Sequence, residues 1–443
     1  MEVEGAYANL VVDRLLREAP LDQKERSLFT ELVYGTLRWR KTVDWVLAPL
    51  VRAGLEELTP WIRNLLRLSA YQLLFLDRIP PSAVGNEAVK LAYRYGHRGV
   101  AGLVNGVLRS LARQGRDWRP PPAGEDPVGH LAVRCSHPEW MVERWIARYG
   151  FAGAEALCRV NNQPAPFWVR ANTLKQTPAE LAGELRSCGV EVEPSRLAGE
   201  GLKLDGDVNF AALPAHREGR FYIQDESSML AARALAPRPG MRVVDACAGP
   251  GGKTTHIAQL MGDVGEIRAF DVHEHKLSLV DVNCRRLGVT CVTTGLRDAT
   301  TLPGPLAGWA DRVLVDAPCS GLGVLRRRPD LRWRKDPAEI AQLSRLQRSI
   351  LQSAARCLGP GGVLVYSTCT LEPEENEEVV DWAVRHAGLR LDDLSPHLDA
   401  PGWTGEDRRL LRRGYITLLP QVHGTDGFFI ARFRREQEKN LSG

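Results

Sequence analysis

Residues 1 to about 115 carry apolar positions at spacings of three and four, as in AYANLVVDRLLREA (Ala6–Ala19), SLFTELVYGTLRWRKTVDWVLAPLV and WIRNLLRLSAYQLLFLDRI. That period belongs to helices with one apolar face, and no two-residue alternation interrupts it, so this part is expected to be all-helical. The run DWRPPPAGEDPVG (Asp117–Gly129) cannot continue a helix, because three successive prolines remove donors and fix φ. A linker is expected there. From His130 the pattern is mixed: a helix in PEWMVERWIARYG, a strand at FWVRANTL, a helix at TPAELAGELRSCG and a short strand near VEVEPS. From about Phe221, short apolar runs (MRVVDA, EIRAFDV, CVTTG, DRVLVDAP, GGVLVYSTC) alternate with helical segments such as AEIAQLSRLQRSILQSAARCL. This alternation predicts a mainly parallel, doubly wound sheet. The expected organisation is an all-α domain over 1–127, a small α+β element over 130–215 and a Rossmann-like α/β domain over 216–436.

Composition changes this picture little. A chain of 443 residues with 44% apolar and 25% charged residues suits two or three globular domains, and no apolar run reaches membrane-spanning length. The opening MEVEGAYANL is acidic where a secretory signal would be basic and then apolar, so a cytoplasmic protein is expected. Nine scattered cysteines without a C-x-x-C pair argue for reduced thiols and against a disulfide framework or a structural zinc site; no metal is expected. A formal charge of +4 is too small to name a partner.

The chemistry begins at VVDACAGPGGKTTH (Val243–His256). A nucleotide-triphosphate loop needs G-x-x-x-x-G-K-[ST], but Cys247 stands where its first glycine belongs, which disfavours an NTPase. The better reading is a strand ending at Asp245 followed by a turn of small residues, Ala246, Cys247, Ala248, Gly249, Pro250, Gly251 and Gly252, before a helix near Lys253. Such a turn admits an amino-acid-like or nucleoside group. Asp271, Asp298 and Asp316 end later strands, and the carboxyl ends of a doubly wound sheet share one crevice. Asp271 has the separation from Asp245 expected of a ribose-binding acid. Any one of these acids alone reads as a helix cap, whereas four in sequence form a binding pattern. The pattern resembles that of S-adenosylmethionine-dependent methyltransferases, and the absence of G-x-G-x-x-G excludes a dinucleotide site.

Two cysteines stand just beyond apolar strands, in DAPCSG (Asp316–Gly321) and YSTCT (Tyr366–Thr370). Cys158, Cys188, Cys247, Cys284, Cys291 and Cys357 read as small buried hydrophobes. Cys319 and Cys369 are candidate nucleophiles, since a thiolate can add to C6 of cytosine and make C5 nucleophilic. Position does not rank the two. PCSGLGVLRRRPD and YSTCTLEPEENEEVV resemble the paired motifs of the RsmB/NOP family of RNA cytosine-5 methyltransferases. The resemblance implies that Cys369 is the nucleophile, that Cys319 assists product release and that Asp316 hydrogen-bonds the target base. It further implies that the turn with Asp271 and Asp298 holds S-adenosylmethionine, with Lys253 at the cofactor's carboxylate or in the catalytic site.

VRANTLK (Val169–Lys175), FYIQDESSML (Phe221–Leu230) and HGTDGFFIARFRR (His423–Arg435) extend the match over Ser136–Arg435. They make Arg170, Asn172 and His423 candidate RNA contacts. Six basic residues lie between Arg326 and Lys335, so Arg326, Arg327 and Arg328 are expected at phosphates and Trp333 at an unpaired base. The target cytosine must leave its helical stack to meet a thiol. TELVYGTLRWR and GVAGLVNGVLR resemble NusB-type RNA-binding helices, a combination found in the bacterial RsmB-type branch of the family. That branch implies 16S ribosomal RNA as substrate and a monomeric enzyme. The alternative is a non-catalytic RNA-binding assembly or antitermination factor.

Overall fold

The computed structural model describes residues 6–206, 209 and 212–435; the acidic start of the opening segment and the last residue of the expected 216–436 domain fall outside them. The chain divides into two compact units, one of residues 1–164 with 325–335, the other of 165–324 with 336–443.

The first unit is helical, as its periodicity predicts: α1 (Ala8–Glu18), α2 (Gln23–Arg38), α3 (Arg40–Leu47), α4 (Pro60–Phe75), α5 (Pro81–Tyr95), α6 (Arg98–Gln114), α7 (Pro127–Arg134) and α8 (Glu139–Val160). Its core is built from the i, i+3, i+4 positions, among them Val43, Leu47, Leu66, Leu74, Val104 and Leu108. The boundary expected after residue 127 falls inside this unit. The prolines do break the helical run, but α7 and α8 then fold back on α3: Thr42 Oγ1 donates to the Val133 carbonyl at 2.6 Å, and Ser136 Oγ accepts from the Lys41 amide at 3.0 Å.

The unit also contains Leu325–Lys335, the whole of the basic run. Arg332 is fully buried, and its guanidinium donates to the carbonyls of Ser136 (3.0 Å), Asn161 (2.7 Å) and Arg38 (3.2 Å) and to Asn162 Oδ1 (2.7 Å). Planar, forked donors suit several acceptors at once, which a lysine could not serve.

The second unit holds two sheets. The small one, in the antiparallel order β2-β3-β1-β4, comprises β1 (Phe167–Ala171), β2 (Glu191–Pro194), β3 (Gly201–Asp205) and β4 (Phe221–Ile223), with α9 (Pro178–Ser187) over its apolar face and α10 (Pro214–Arg217) before β4. After α11 (Glu226–Leu235) the large sheet starts with β5 (Arg242–Asp245), α12 (Gly252–Leu260), β6 (Glu266–Asp271), α13 (Glu274–Leu287), β7 (Val292–Leu296), β8 (Ala310–Asp316), α14 (Pro337–Ala355) and β9 (Leu358–Thr368). These five strands are parallel, in the order β9-β8-β5-β6-β7. Successive residues alternate between two cores: Val243, Leu314 and Val365 face one, Val244, Val313, Val315 and Leu364 the other. Both faces are therefore covered, which is why these strands read as unbroken apolar runs.

The remaining elements are α15 (Glu377–His386), β10 (Leu389–Leu391), α16 (Gly405–Arg413), β11 (Tyr415–Leu418), α17 (Pro420–His423) and β12 (Phe428–Arg435). β12 pairs antiparallel with β9, β10 and β11, making the sheet mixed. Among the described residues no helix is long and apolar enough to cross a membrane.

Arg332→Ala is expected to destabilise the helical unit by about 3 kcal/mol, because it strands buried carbonyls without donors. Amide hydrogen exchange of α2 and α8 should rise accordingly, and Arg332→Lys should restore little of the protection; wild-type protection in the alanine variant would refute the strut.

Candidate active site

β5 is followed in sequence by β6 but flanked on its other side by β8, so chain connections leave in opposite directions and open a crevice at the carboxyl ends of β5 and β8. The glycine turn crosses that end. Gly251 has φ of +90° and heads α12, and a Cβ there would come within 3.2 Å of Val280, so the turn is both left-handed and closely packed. Asp271 fixes it from β6: one carboxylate oxygen accepts the Gly249 amide at 3.1 Å, the other the His273 amide at 2.9 Å, with Lys276 Nζ at 3.7 Å. Asp245 lies beneath, 1% exposed. Its Oδ2 accepts from Thr254 Oγ1 at 2.7 Å, its Oδ1 has no protein partner, and burial pushes its carboxyl up to about 7. Asp298 is exposed and caps the turn Ala299–Thr301, receiving the Thr300 amide and hydroxyl at 2.8 Å each.

The next two strand ends hold the thiols. Asp316 closes β8, and the parallel register sets it opposite Ser367 of β9. Its carboxylate accepts from Ser367 Oγ and from Lys253 Nζ of α12, each at 2.7 Å, tying α12, β8 and β9 together at the crevice. Lys253 Nζ also lies 5.2 Å from the Phe428 ring centroid. Beyond Asp316 and Ser367 the two loops bring Cys319 Sγ within 3.3 Å of Cys369 Sγ, both half-buried. The hydrogen bond with Cys369 and burial together hold the Cys319 thiol well above the ordinary range, so at neutral pH it carries its proton. A buried, unpartnered carboxyl oxygen under a glycine turn and two adjacent sulfurs thus share one crevice.

Known families and proteins resemble this chain along most of its length. A model for 16S rRNA methyltransferase RsmB/F matches residues 232–434, one for the NusB family residues 1–113, and one for the RsmF/B-like ferredoxin-like domain residues 137–211. The chain is 42% identical over 440 residues to the probable ribosomal RNA small subunit methyltransferase B of Bacillus subtilis, covering 98% of this chain and 96% of that one. The chain belongs to the RsmB/F family of 16S rRNA methyltransferases. The corresponding probable enzyme of a Synechocystis strain is 37% identical over 97% of this chain and 96% of its own length. The crystal structure of a methyltransferase homolog protein from Pyrococcus horikoshii, 33% identical, superposes with a TM-score of 0.61 over 70% of this chain and 99% of its own.

The RsmB/F fold redistributes the residues expected at RNA. Arg170 is fully buried, donating to Gln259 Oε1 (2.9 Å), the Gly252 carbonyl (2.6 Å), Thr255 Oγ1 (3.0 Å) and Gln224. Asn172 is equally buried, donating to the carbonyls of Gly219 and Leu287 at 2.8 Å each. Both are struts between the small sheet and α12, not RNA contacts, because every hydrogen-bonding group they own is turned inward. His423 is also structural: its Nδ1 accepts the Leu419 amide at 2.8 Å, Nε2 lies 3.3 Å from Asp407, and its side chain is 4% exposed. Arg326 is buried and donates to the Pro164 carbonyl at 2.8 Å, while Trp333 Nε1 donates to the Leu37 carbonyl at 2.6 Å, which removes its polar edge from solvent. Arg327 is half-buried and Arg328 exposed. Of the six expected thiols, Cys188 is exposed and Cys247 and Cys291 are half-buried.

The sequence reading missed Glu375, Gln347 and Ser320, which sit behind the cysteines. One signal was available: each candidate cysteine is followed by a hydroxyl residue, Ser320 or Thr370. The loops also touch through backbone, the Gly323 amide donating to the Cys369 carbonyl and the Gly427 amide to the Gly323 carbonyl, each at 2.9 Å. A Cβ at Gly323 would lie 2.0 Å from the Gly427 carbonyl oxygen. Gly323→Ala is therefore expected to push the loops apart at a cost of about 1–3 kcal/mol. It should lower the denaturation midpoint of the second unit; an unchanged midpoint would contradict the close packing.

Proposed function

We propose that this chain transfers a methyl group from S-adenosylmethionine to C5 of a cytosine in 16S ribosomal RNA, through a covalent bond between Cys369 and C6 of the base. The observation that carries the reading is the pair of sulfurs 3.3 Å apart, beside Asp316 and the glycine turn. The names of the relatives supply the RNA class.

The turn residues fit the cofactor. Gly249–Gly252 offer close backbone approach, Asp271 stands where a ribose would be met, Asp298 lies two residues beyond the end of β7, and Asp245 has a buried oxygen free for a cationic group. When bound, S-adenosylmethionine supplies an electrophilic methyl group. The rest falls to the chain. Lys253 neutralises Asp316, whose charge would otherwise oppose a thiolate in the same crevice, and leaves that carboxylate lone pairs to accept from the amino edge of the base. Cys369, deprotonated to its thiolate, adds to C6 and the ring electrons move to C5, which would take the methyl group as its bond to the sulfonium sulfur breaks and leaves a neutral thioether. Loss of the C5 proton to a base restores the double bond and expels the Cys369 sulfur. Cys319, touching that sulfur, assists the release. The base must be out of its stack for C6 to reach the thiol, so the substrate cytosine is unpaired or extruded.

The test mixes Cys319→Ala and Cys369→Ala with cofactor and small-subunit RNA on a denaturing gel. Cys319→Ala should accumulate a covalent protein–RNA adduct; Cys369→Ala should give neither adduct nor methylation. The reverse pattern would make Cys319 the nucleophile. If the wild type binds the RNA but does not methylate it, the chain is an RNA-binding assembly factor instead.

Cofactor binding should also be proton-linked. With its carboxyl at about 7, Asp245 is partly protonated before binding, and pairing with a cation lowers that value. About half a proton should then be released on binding at pH 7, so affinity rises with pH through 7 and levels off above. Calorimetry in buffers of different ionisation enthalpy measures this; Asp245→Asn should abolish the release, and a buffer-independent heat in the wild type would refute it.

A further inference from the structure

Behind the two thiols lies a carboxylate that the mechanism does not use. Glu375 is fully buried, in the short turn Pro373–Glu375 that follows the Cys369 loop. Its Oε1 accepts the Ser320 amide at 2.8 Å and Gln347 Nε2 at 3.0 Å, and its Oε2 accepts the Ser320 hydroxyl. Ser320 Oγ lies 2.7 Å from Thr370 Oγ1, and Gln347 Nε2 also donates to the Pro318 carbonyl at 2.9 Å. The Glu375 backbone carbonyl accepts the Tyr366 hydroxyl at 2.6 Å. Next to it, Asn376 donates to the Thr370 carbonyl at 3.0 Å and accepts from Thr368 Oγ1 at 2.6 Å.

These bonds meet the residue on each side of Cys319, namely Pro318 and Ser320, and the residue on each side of Cys369, namely Thr368 and Thr370. A buried carboxylate is expensive unless several donors satisfy it, and here the donors come from the Cys319 loop and α14 while the acceptor comes from the chain after Cys369. We infer that Glu375 is a positioning residue, a buried clamp that sets the distance between the Cys319 and Cys369 sulfurs. The inference rests on the reading that both thiols serve one reaction. A nucleophile and its assisting thiol must reach neighbouring atoms of one ring, and misplacement by about 1 Å costs about 10²-fold in rate.

Thiol spacing can be read without RNA. Phenylarsine oxide condenses with two neighbouring thiols, forming two As–S bonds and releasing one water. The wild type should capture it rapidly, with loss of two titratable thiols that Cys319→Ser does not show. Glu375→Gln keeps the volume but replaces an acceptor oxygen with an amide that must face the Ser320 donors. It should slow capture by at least about tenfold and lower kcat by about 10²-fold, with KM for RNA and cofactor affinity within about twofold of wild type. Ser320→Ala and Gln347→Leu remove single donors and should each give a smaller loss; they keep the test open should Glu375→Gln not fold. Wild-type capture rates in the folded variants would overturn the inference. Loss of capture in a chain whose wild type does not methylate RNA would leave the clamp standing and sink only the methyl-transfer reading.

Discussion

Everything at the crevice depends on one topological constraint: β5 and β8 are parallel neighbours that are not consecutive in the chain. Their connections must leave the sheet in opposite directions, so no crossover covers their carboxyl ends. The Lys253–Asp316–Ser367 chain spans that opening and fixes α12, β8 and β9 against one another. The glycine turn on one side and the thiols on the other take their places from it. Shifting β8 by one residue against β9 would send Asp316 to the opposite face of the sheet and leave Lys253 without its partner.

A few arginines of this chain work as internal fasteners. Arg170, Arg332 and Arg432 are all buried, and each spends its donors on backbone carbonyls or polar side chains of several elements. Burying a guanidinium is costly, and the cost is offset only when nearly every N–H finds an acceptor. Such a residue becomes a specific joint: Arg170 reaches the Gly252 carbonyl, so the first strand of the small sheet helps to hold the start of α12 at the glycine turn.

The polar network behind the thiols obeys the same physics. Ser320, Gln347, Thr370 and Glu375 are excluded from water, where each bond is stronger than at a surface and each unpaired group more damaging. A network of this kind, in which Glu375 accepts three hydrogen bonds, gives the loops rigidity that apolar packing alone does not, because hydrogen bonds have direction and contact between methyl groups does not.

Periodicity by itself determined the helical first part, the parallel strands and the turn after Asp245, because burial on one face or two leaves a period that short windows can read. The thiols' placement at strand ends, and the acids that accompany them, were also legible, since a doubly wound sheet fixes where strand ends lie. Three things were decided only in three dimensions. The antiparallel addition of β12 beside β9 joins segments about sixty residues apart, and no local signal pairs them. The basic run 326–335 reads as an RNA-contacting charge patch, yet Arg332 is buried within the helical unit, because a linear pattern records charge but not the carbonyls waiting for it. Glu375 stands in LEPEENEEVV among acids that begin a helix; only the fold shows that this one turns inward, since its donors lie in α14 and the Cys319 loop, more than twenty-five residues away.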